Sequence, residues 1–453
     1  MRKVLIANRG EIAVRIARAC RDAGLTSVAV CADPDRDAVH VRAADEVVPL
    51  NGTTPAETYL NTNKVLRAAV YSGADAVHPG YGFLAESAGF AQAALDAGLT
   101  WIGPPPAAIR LLGDKLSARQ TARRVGVPLL PAMTGPAADA ALVAAFAREH
   151  GLPVVIKAVA GGGGKGIAVA RSLAGIPDAC ARAAAAAGGR AECFAERYLE
   201  HARHVEVQCL ADAYGGVAVI STRDCSLQRR HQKIVEEAPA PFLPAGLDAR
   251  LRAASAAILR AAGCTGAATC EFLLGQDGTL NFLEANARLA VAHPVSEEVT
   301  RLDLVGESFR IAEGGALAHG DPDVRGHALQ FRIYAEDPGR GFTRTGGTVS
   351  TWRPPSGPGV RLDSGMEQGS VVAPAFGTLL AKLIVTGASR DEALRCARRA
   401  LHEFEIAGMA TSLPLHRALV TDEAFAPPNP GQPFSVHTGW IESTYPVSAP
   451  PGS

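Results

Sequence analysis

The sequence predicts an α/β protein that begins with a doubly wound parallel sheet. The first of three observations carries this expectation, and the other two mark candidate ligand sites further along the chain. Short apolar runs alternate with amphipathic helical stretches through the first part of the chain, a β-branched run leads into glycine-rich chain, and a later hairpin carries carboxylates. Val4–Ala7 reads as a short buried strand. Glu11–Ala23 follows Gly10 as a helix with apolar positions 12, 16 and 19–20 on one stripe, Gly24 closes it, and Ser27–Cys31 begins a second strand. Ala74–His78 and Thr100–Gly103 read as later strands between helices at about 57–70 and 86–97. No GxGxxG fingerprint is present, so a dinucleotide is not implied. His78-Pro-Gly-Tyr-Gly-Phe83 falls at the C-terminal end of a strand, where such sheets carry ligand loops.

Gly113-Asp-Lys115 opens a helix running to about Arg124, and Ala137–His150 is a second amphipathic helix. Pro153–Lys157 is a β-branched strand that runs into Gly161–Gly166, with a further strand at Ile167–Ala170. Glycines between two strands let backbone N–H groups approach phosphate oxygens without interference from Cβ atoms; a flexible linker is the plainer alternative. The Walker A pattern is absent. Glu192–Glu200 reads as strand then turn. Arg203–Gln208 alternates polar and apolar residues, predicting a half-buried strand with His204, Glu206 and Gln208 on one face. Asp224–Lys233 is a basic loop suited to a small anion, and Leu247–Ala262 is an amphipathic helix.

Cys270–Leu274 and Thr279–Glu284 flank Gly275-Gln-Asp-Gly278, which is hairpin chemistry. Extended chain places Glu284, Asn286 and Arg288 on one face, with Glu271 able to meet Glu284 across the hairpin. Two carboxylates and an amide oxygen form a hard-oxygen site suited to Mg²⁺; a solvent-facing strand edge is the alternative. Positions 290 and 292 would continue that face, and both are alanine. A helix is expected from about Ser296 to Ala312. Beyond a loop-rich boundary at 314–326 come strands at His327–Glu336, Val360–Asp363 and Leu379–Val385, a helix at Arg390–Glu405, and a proline-rich tail from Ala424 expected to be loosely held.

The chain has 453 residues, which suggests about three domains. Lys+Arg and Asp+Glu are equal at 45, so no overall field favours nucleic acid or an anionic membrane. Nine scattered cysteines without CxxC pairs suit reduced thiols better than disulfides or zinc. No stretch approaches the ~18 apolar residues of a spanning helix, and the N-terminal apolar run is too short for a leader, so a cytoplasmic location is expected.

In order, the motifs Ile6-Ala-Asn-Arg-Gly-Glu-Ile12, His78–Leu84, Gly113-Asp-Lys115, Val155-Ile-Lys-Ala158 with its glycine loop, Arg203-His-Val-Glu206, Arg223–Lys233, Glu271-Phe-Leu273, Glu284-Ala-Asn-Ala-Arg288 and Phe331–Asp337 resemble one family, biotin carboxylase of the ATP-grasp superfamily. The resemblance is strongest to that part of actinobacterial acyl-CoA carboxylase α subunits and covers about residues 2 to 442. It implies a three-domain architecture: a Rossmann-like domain over 1–113, an ATP-grasp domain over 114–326 with a glycine-rich lid at about 130–203, and a C-terminal α+β domain over 327–446. It implies that Lys115 and Lys157 contact ATP phosphates under a flap containing Gly162, Gly163, Gly164 and Lys165. Glu196 and Leu199 would border the adenine, with His204, Gln228 and His231 also on the nucleotide. Glu271, Glu284 and Asn286 would hold two Mg²⁺, or Mn²⁺ in their place. Lys233 and Arg288 would hold bicarbonate, Arg332 would stabilise the biotin enolate, and Arg15 and Tyr81 would line the biotin approach. Biotin would arrive on a separate carrier protein or domain, since none of the four methionines flanks a lysine in the usual biotinylation context. A carboxyltransferase subunit and a homodimer are the further partners implied.

One departure is chemical. The family usually reads N-x-R-[LI]-Q-V-E-H-P, whereas this chain reads Asn286-Ala-Arg-Leu-Ala-Val-Ala-His-Pro294. Ala290 stands for the glutamine that contacts bicarbonate and biotin, and Ala292 for the glutamate that resembles the general base. Losing such a base costs ~10²–10⁴-fold in rate. Glu206, Glu297 and Glu298 are candidates to compensate. Smaller departures are Arg197 for a common lysine, Phe342-Thr-Arg-Thr345 for a proline-containing turn, and Gly377 for an aspartate. The readings are a biotin carboxylase impaired at this step, an ATP-grasp ligase with another acceptor, or a non-enzymatic ATP-binding subunit, which the full set of phosphate and metal motifs disfavours.

Overall fold

The computed structural model describes residues 1–133, 139–158, 167–186 and 193–445. The proposed flap, with Gly162, Gly163, Gly164 and Lys165, lies outside them. The N-terminal part is a five-stranded parallel sheet in the order Glu46–Pro49, Thr26–Cys31, Lys3–Ile6, Ala76–His78, Thr100–Trp101. The apolar run Val4–Ile6 is wholly buried at its centre, as a strand covered on both faces must be. The edge strand Glu46–Pro49 has only Val47 and Val48 as an apolar run, is largely exposed and ends in proline.

The larger sheet is antiparallel and eight-stranded. Its order is Leu280–Asn286, Gly266–Leu274, Arg203–Ala211, Val217–Asp224, Val235–Ala238, His327–Tyr334, Leu379–Gly387, Val360–Ser364. A small three-stranded sheet of Ile167–Ala170, Val154–Ala158 and Cys193–Arg197 packs with the helices Ala140–His150 and Ile176–Ala186 around its own apolar cluster. A larger cluster joins the first sheet to the second, with Leu5, Val28 and Val77 in the same core as Val205, Phe272 and Phe282.

Four expectations change. Arg203–Ala211 is buried on both faces from His204 onward, because it is an interior strand with apolar core on one side and a polar cavity on the other. The predicted helix at 296–312 is two helices, His293–Thr300 and Leu304–Ala312. Arg301 turns left-handed at φ 62°, and Asp303 caps the second helix by accepting from Val305 N at 3.0 Å and Gly306 N at 2.9 Å. The basic segment forms a small hairpin, Gln228–Arg229 with Gln232–Lys233. Through residue 445 the tail is not loose: Phe425, Val436, Trp440 and Ile441 are buried against the C-terminal core.

Candidate active site

The carboxylate hairpin forms as its turn residues dictate. Gly275 N donates to Thr279 O at 2.9 Å, Gly278 takes φ 78°, and Asp277 accepts from the Thr279 hydroxyl at 2.7 Å. A bulge after Glu271 leaves that residue directly opposite Glu284, while Glu271 also pairs with Glu206 on the neighbouring strand. The sheet thus brings three carboxylates into adjacent registers at the floor of a cavity of about 840 Å³.

Cations hold this floor together. Lys233 Nζ donates to Glu271 at 2.8 Å and to Glu206 at 3.3 Å. The completely buried Arg223 donates to Glu206 at 3.1 Å, and to Gln208 and the Ser296 hydroxyl at 2.9 Å each. His204 Nε2 lies 2.6 Å from the second oxygen of Glu271, and its Nδ1 faces Gln228 at 3.1 Å. Burial opposes ionisation of Glu271, but Lys233 and His204 outweigh it and bring the carboxyl down to about 2. Glu284 goes the other way, pushed up by burial and by the negative Glu271 facing it. Burial works against the Lys233 charge, yet the flanking Glu206 and Glu271 raise it.

A divalent cation fits here. Glu271, Glu284 and Asn286 offer only hard oxygen ligands, and two facing carboxylates of opposite protonation tendency are what a dication would bring into one ionised state. Both ends of the Asn286 amide are held, its Nδ2 donating to Glu271 at 2.7 Å and its Oδ1 accepting from Arg288 at 3.0 Å.

On the opposite wall Lys157 pairs with Glu196, and Arg119 donates to the other oxygen of Glu196 at 2.9 Å. Lys115 also lines this wall, and burial lowers its pKa. Leu199 and His231 line the cavity as well. At a third side Arg332 is held by the buried Glu236, which also accepts from Gln330 at 3.0 Å. Arg119 and Glu236 carry no motif signal, because their roles come from partners distant in sequence. Arg15 and Tyr81 do not line the cavity. Arg15 pairs with Glu297 at 2.9 Å and with Asp303 at 2.5 Å, and Tyr81 donates to Glu11 beneath the buried Lys382.

Ala290 and Ala292 do not continue the strand, which ends at Asn286; the chain bends at Arg288 and enters a helix at His293. Both alanines nevertheless line the cavity, 4% and 1% exposed. Of the carboxylates named as substitutes, Glu297 and Glu298 point to Arg361, at 2.9 and 3.1 Å, away from the cavity lining. Glu206 is held by Arg223 and Lys233.

Comparisons with known proteins show the family of the chain. Residues 1–109 match the biotin carboxylase N-terminal domain, 114–320 the ATP-binding domain of the carbamoyl-phosphate synthase L chain, and 330–443 the biotin carboxylase C-terminal domain. The chain is 56% identical over 447 residues to the alpha3 subunit of a biotin-dependent acyl-coenzyme A carboxylase of Mycobacterium leprae, covering 98% of this chain and 74% of that one. A biotin carboxylase of a Nostoc species is 43% identical over 441 residues, covering 95% of this chain and 98% of its own. Among solved structures, a nucleotide complex of Campylobacter jejuni biotin carboxylase superposes with a TM-score of 0.92 at 34% identity, covering 98% of each chain. The biotin carboxylase domain dimer of Hydrogenobacter thermophilus 2-oxoglutarate carboxylase, with MgADP, ADP and bicarbonate, gives 0.92 at 37% identity, covering 98% of this chain and 97% of that one.

Proposed function

We propose, from the premise that this chain belongs to the biotin carboxylase family and has its ATP-grasp fold, that it carboxylates biotin on a separate carrier, using ATP and bicarbonate, as a component of an acyl-CoA carboxylase. The observation that carries this reading is the single cavity that gathers Lys115 and Lys157 on one wall, the Glu271–Glu284 pair on its floor, and Arg288 and Arg332 at its third side. Lys115 and Lys157 face the phosphates, with Glu196 setting the position of Lys157. Glu271, Glu284 and Asn286 hold Mg²⁺, which when bound neutralises phosphate charge during transfer. Lys233 and Arg288 hold bicarbonate, so its oxygen stands close to the γ-phosphorus. Transfer gives carboxyphosphate and ADP. Arg332, fixed by Glu236, faces the oxygen of the biotin ureido group as carboxylation proceeds. Arg15 and Tyr81 support the biotin side from behind the lining.

Partners follow from the same premise: a biotin carboxyl carrier, a carboxyltransferase and a second copy of this chain, supported by a relative named as a carboxylase subunit and a solved relative described as a dimer. The methyls of Ala290 and Ala292 neither accept a proton nor position an oxyanion, so the reaction is slower in this chain than with glutamine and glutamate at these two positions. Steady-state ADP release dependent on bicarbonate and free biotin tests the reading. We expect weak turnover as given and a gain of about 10²-fold or more in the double variant Ala290→Gln plus Ala292→Glu. No gain would indicate another acceptor, for which the two alanines make room.

A further inference from the structure

On the reading just given, the acceptor still has to lose a proton, and the cavity is well supplied with carboxylates that are already engaged. Glu271 is taken by Lys233, His204 and Asn286, and Glu206 by Arg223, Lys233 and the Cys225 thiol. Glu196 is taken by Arg119 and Lys157. Glu284 is committed with Glu271 to the cation. Glu86 differs. It also lines the cavity, its side chain is 46% exposed, and among the described residues its one partner is Arg288, whose Nε lies 3.4 Å from Oε2. That Nε is buried and has no hydrogen bond of normal geometry, so it has a donor left to offer a small anion beside Glu86. The backbone places Glu86 firmly: it follows the buried Leu84 and Ala85, and precedes Ser87, whose side chain caps the helix Ala88–Asp96.

We propose that Glu86 is the general base for bicarbonate in this chain, acting from the Arg288 side of the cavity in place of the carboxylate that Ala292 lacks. Bicarbonate held by Arg288 gives its proton to a Glu86 oxygen as its own oxygen forms the bond to the γ-phosphorus. The bond from γ-phosphorus to the bridging oxygen breaks, ADP leaves with that electron pair, and protonated Glu86 returns its proton to water. Its exposure at the cavity mouth makes that last transfer direct.

The test is bicarbonate-dependent ADP release in four purified proteins: the natural chain, E86Q, A292E, and E86Q with A292E, with thermal midpoints measured alongside. E86Q is expected to lower the natural rate by about 10²-fold, and A292E added to E86Q to restore it, since the base is supplied from the other side. Three results would overturn the proposal: an E86Q rate within threefold (roughly, against that expected loss) of the natural one, an E86Q loss as large with A292E present as without it, or a natural chain with no bicarbonate dependence while A292E is active. If A292E and its combination with Ala290→Gln are also inactive toward bicarbonate, the functional reading itself fails, and that outcome is distinct from the other three.

Discussion

Arg223 is the residue on which the floor of the cavity depends. It has no exposed surface, and its guanidinium is shared among Glu206, Gln208, Thr269 and the Ser296 hydroxyl. Removing one partner of such a buried pair leaves the other charge unpaired, at a cost of about 3–5 kcal/mol. Arg223→Met should therefore lower the urea unfolding free energy by about that much. It should also weaken Mg²⁺-dependent nucleotide binding, because Glu206 is then free to compete for Lys233. A loss below about 1 kcal/mol would show that the pair is not desolvated as described. The sequence disclosed the Glu271–Glu284 meeting because two local rules sufficed, a four-residue turn and side-chain alternation. It did not disclose Arg119 on Glu196 or Glu236 on Arg332, since each joins residues dozens of positions apart whose proximity only the sheet order creates. Extrapolating alternation past Asn286 also failed, yet both alanines reached the cavity by a bend rather than by a strand.

Among elements, the short helix Leu413–Leu419 shows how the C-terminal part positions a site residue. His416 Nε2 lies 2.8 Å from the backbone oxygen of Arg332 and 3.3 Å from the Ser412 hydroxyl, so it is the protonated nitrogen of a neutral ring. The Phe331 ring stands edge-on at 5.5 Å, and burial lowers the imidazole pKa to about 4. The folded value is below the unfolded value of 6.5, so the unfolded chain binds more protons between the two. Stability from this group is complete above pH 6.5 and is lost as pH falls through about 4, a change of about 3 kcal/mol. His416→Gln keeps a donor for the carbonyl and removes the titration. The urea midpoint of the variant should fall less steeply than that of the natural chain between pH 6.5 and 4; parallel curves would refute the assignment. Long periodic elements such as Arg390–Glu403 and Leu247–Ala261 were readable because each buries one stripe. The break at Arg301 was not, because apolar spacing continues across it while Asp303 starts a new helix.

For the whole molecule, the sheet order argues against treating the central and C-terminal parts as separable folding units. Val235–Ala238 pairs with His327–Tyr334 through four residue pairs, so eight strands run unbroken across the point where loop-rich sequence suggests a boundary. Side chains cross the same seam. Glu236 accepts from Gln330 and Arg332, while Glu237 lies between His327 at 2.8 Å and Arg390 at 2.7 Å. Burial alone would raise the Glu237 pKa, but Arg390 and His327 bring it down to about 2. A chain ending at 326 would keep both glutamates and lose all four partners. It would also expose the backbone of Val235–Ala238 as a free edge, which favours pairing between chains over folding. We therefore expect residues 1–326 to be recovered as aggregate or without a cooperative thermal transition by circular dichroism. Co-expression with residues 327–453 should recover soluble material in which the two pieces co-purify, because the second piece restores Gln330, Arg332, His327 and Arg390 together. A soluble 1–326 fragment that melts cooperatively on its own would mean that the seam is a contact between finished domains rather than part of one core.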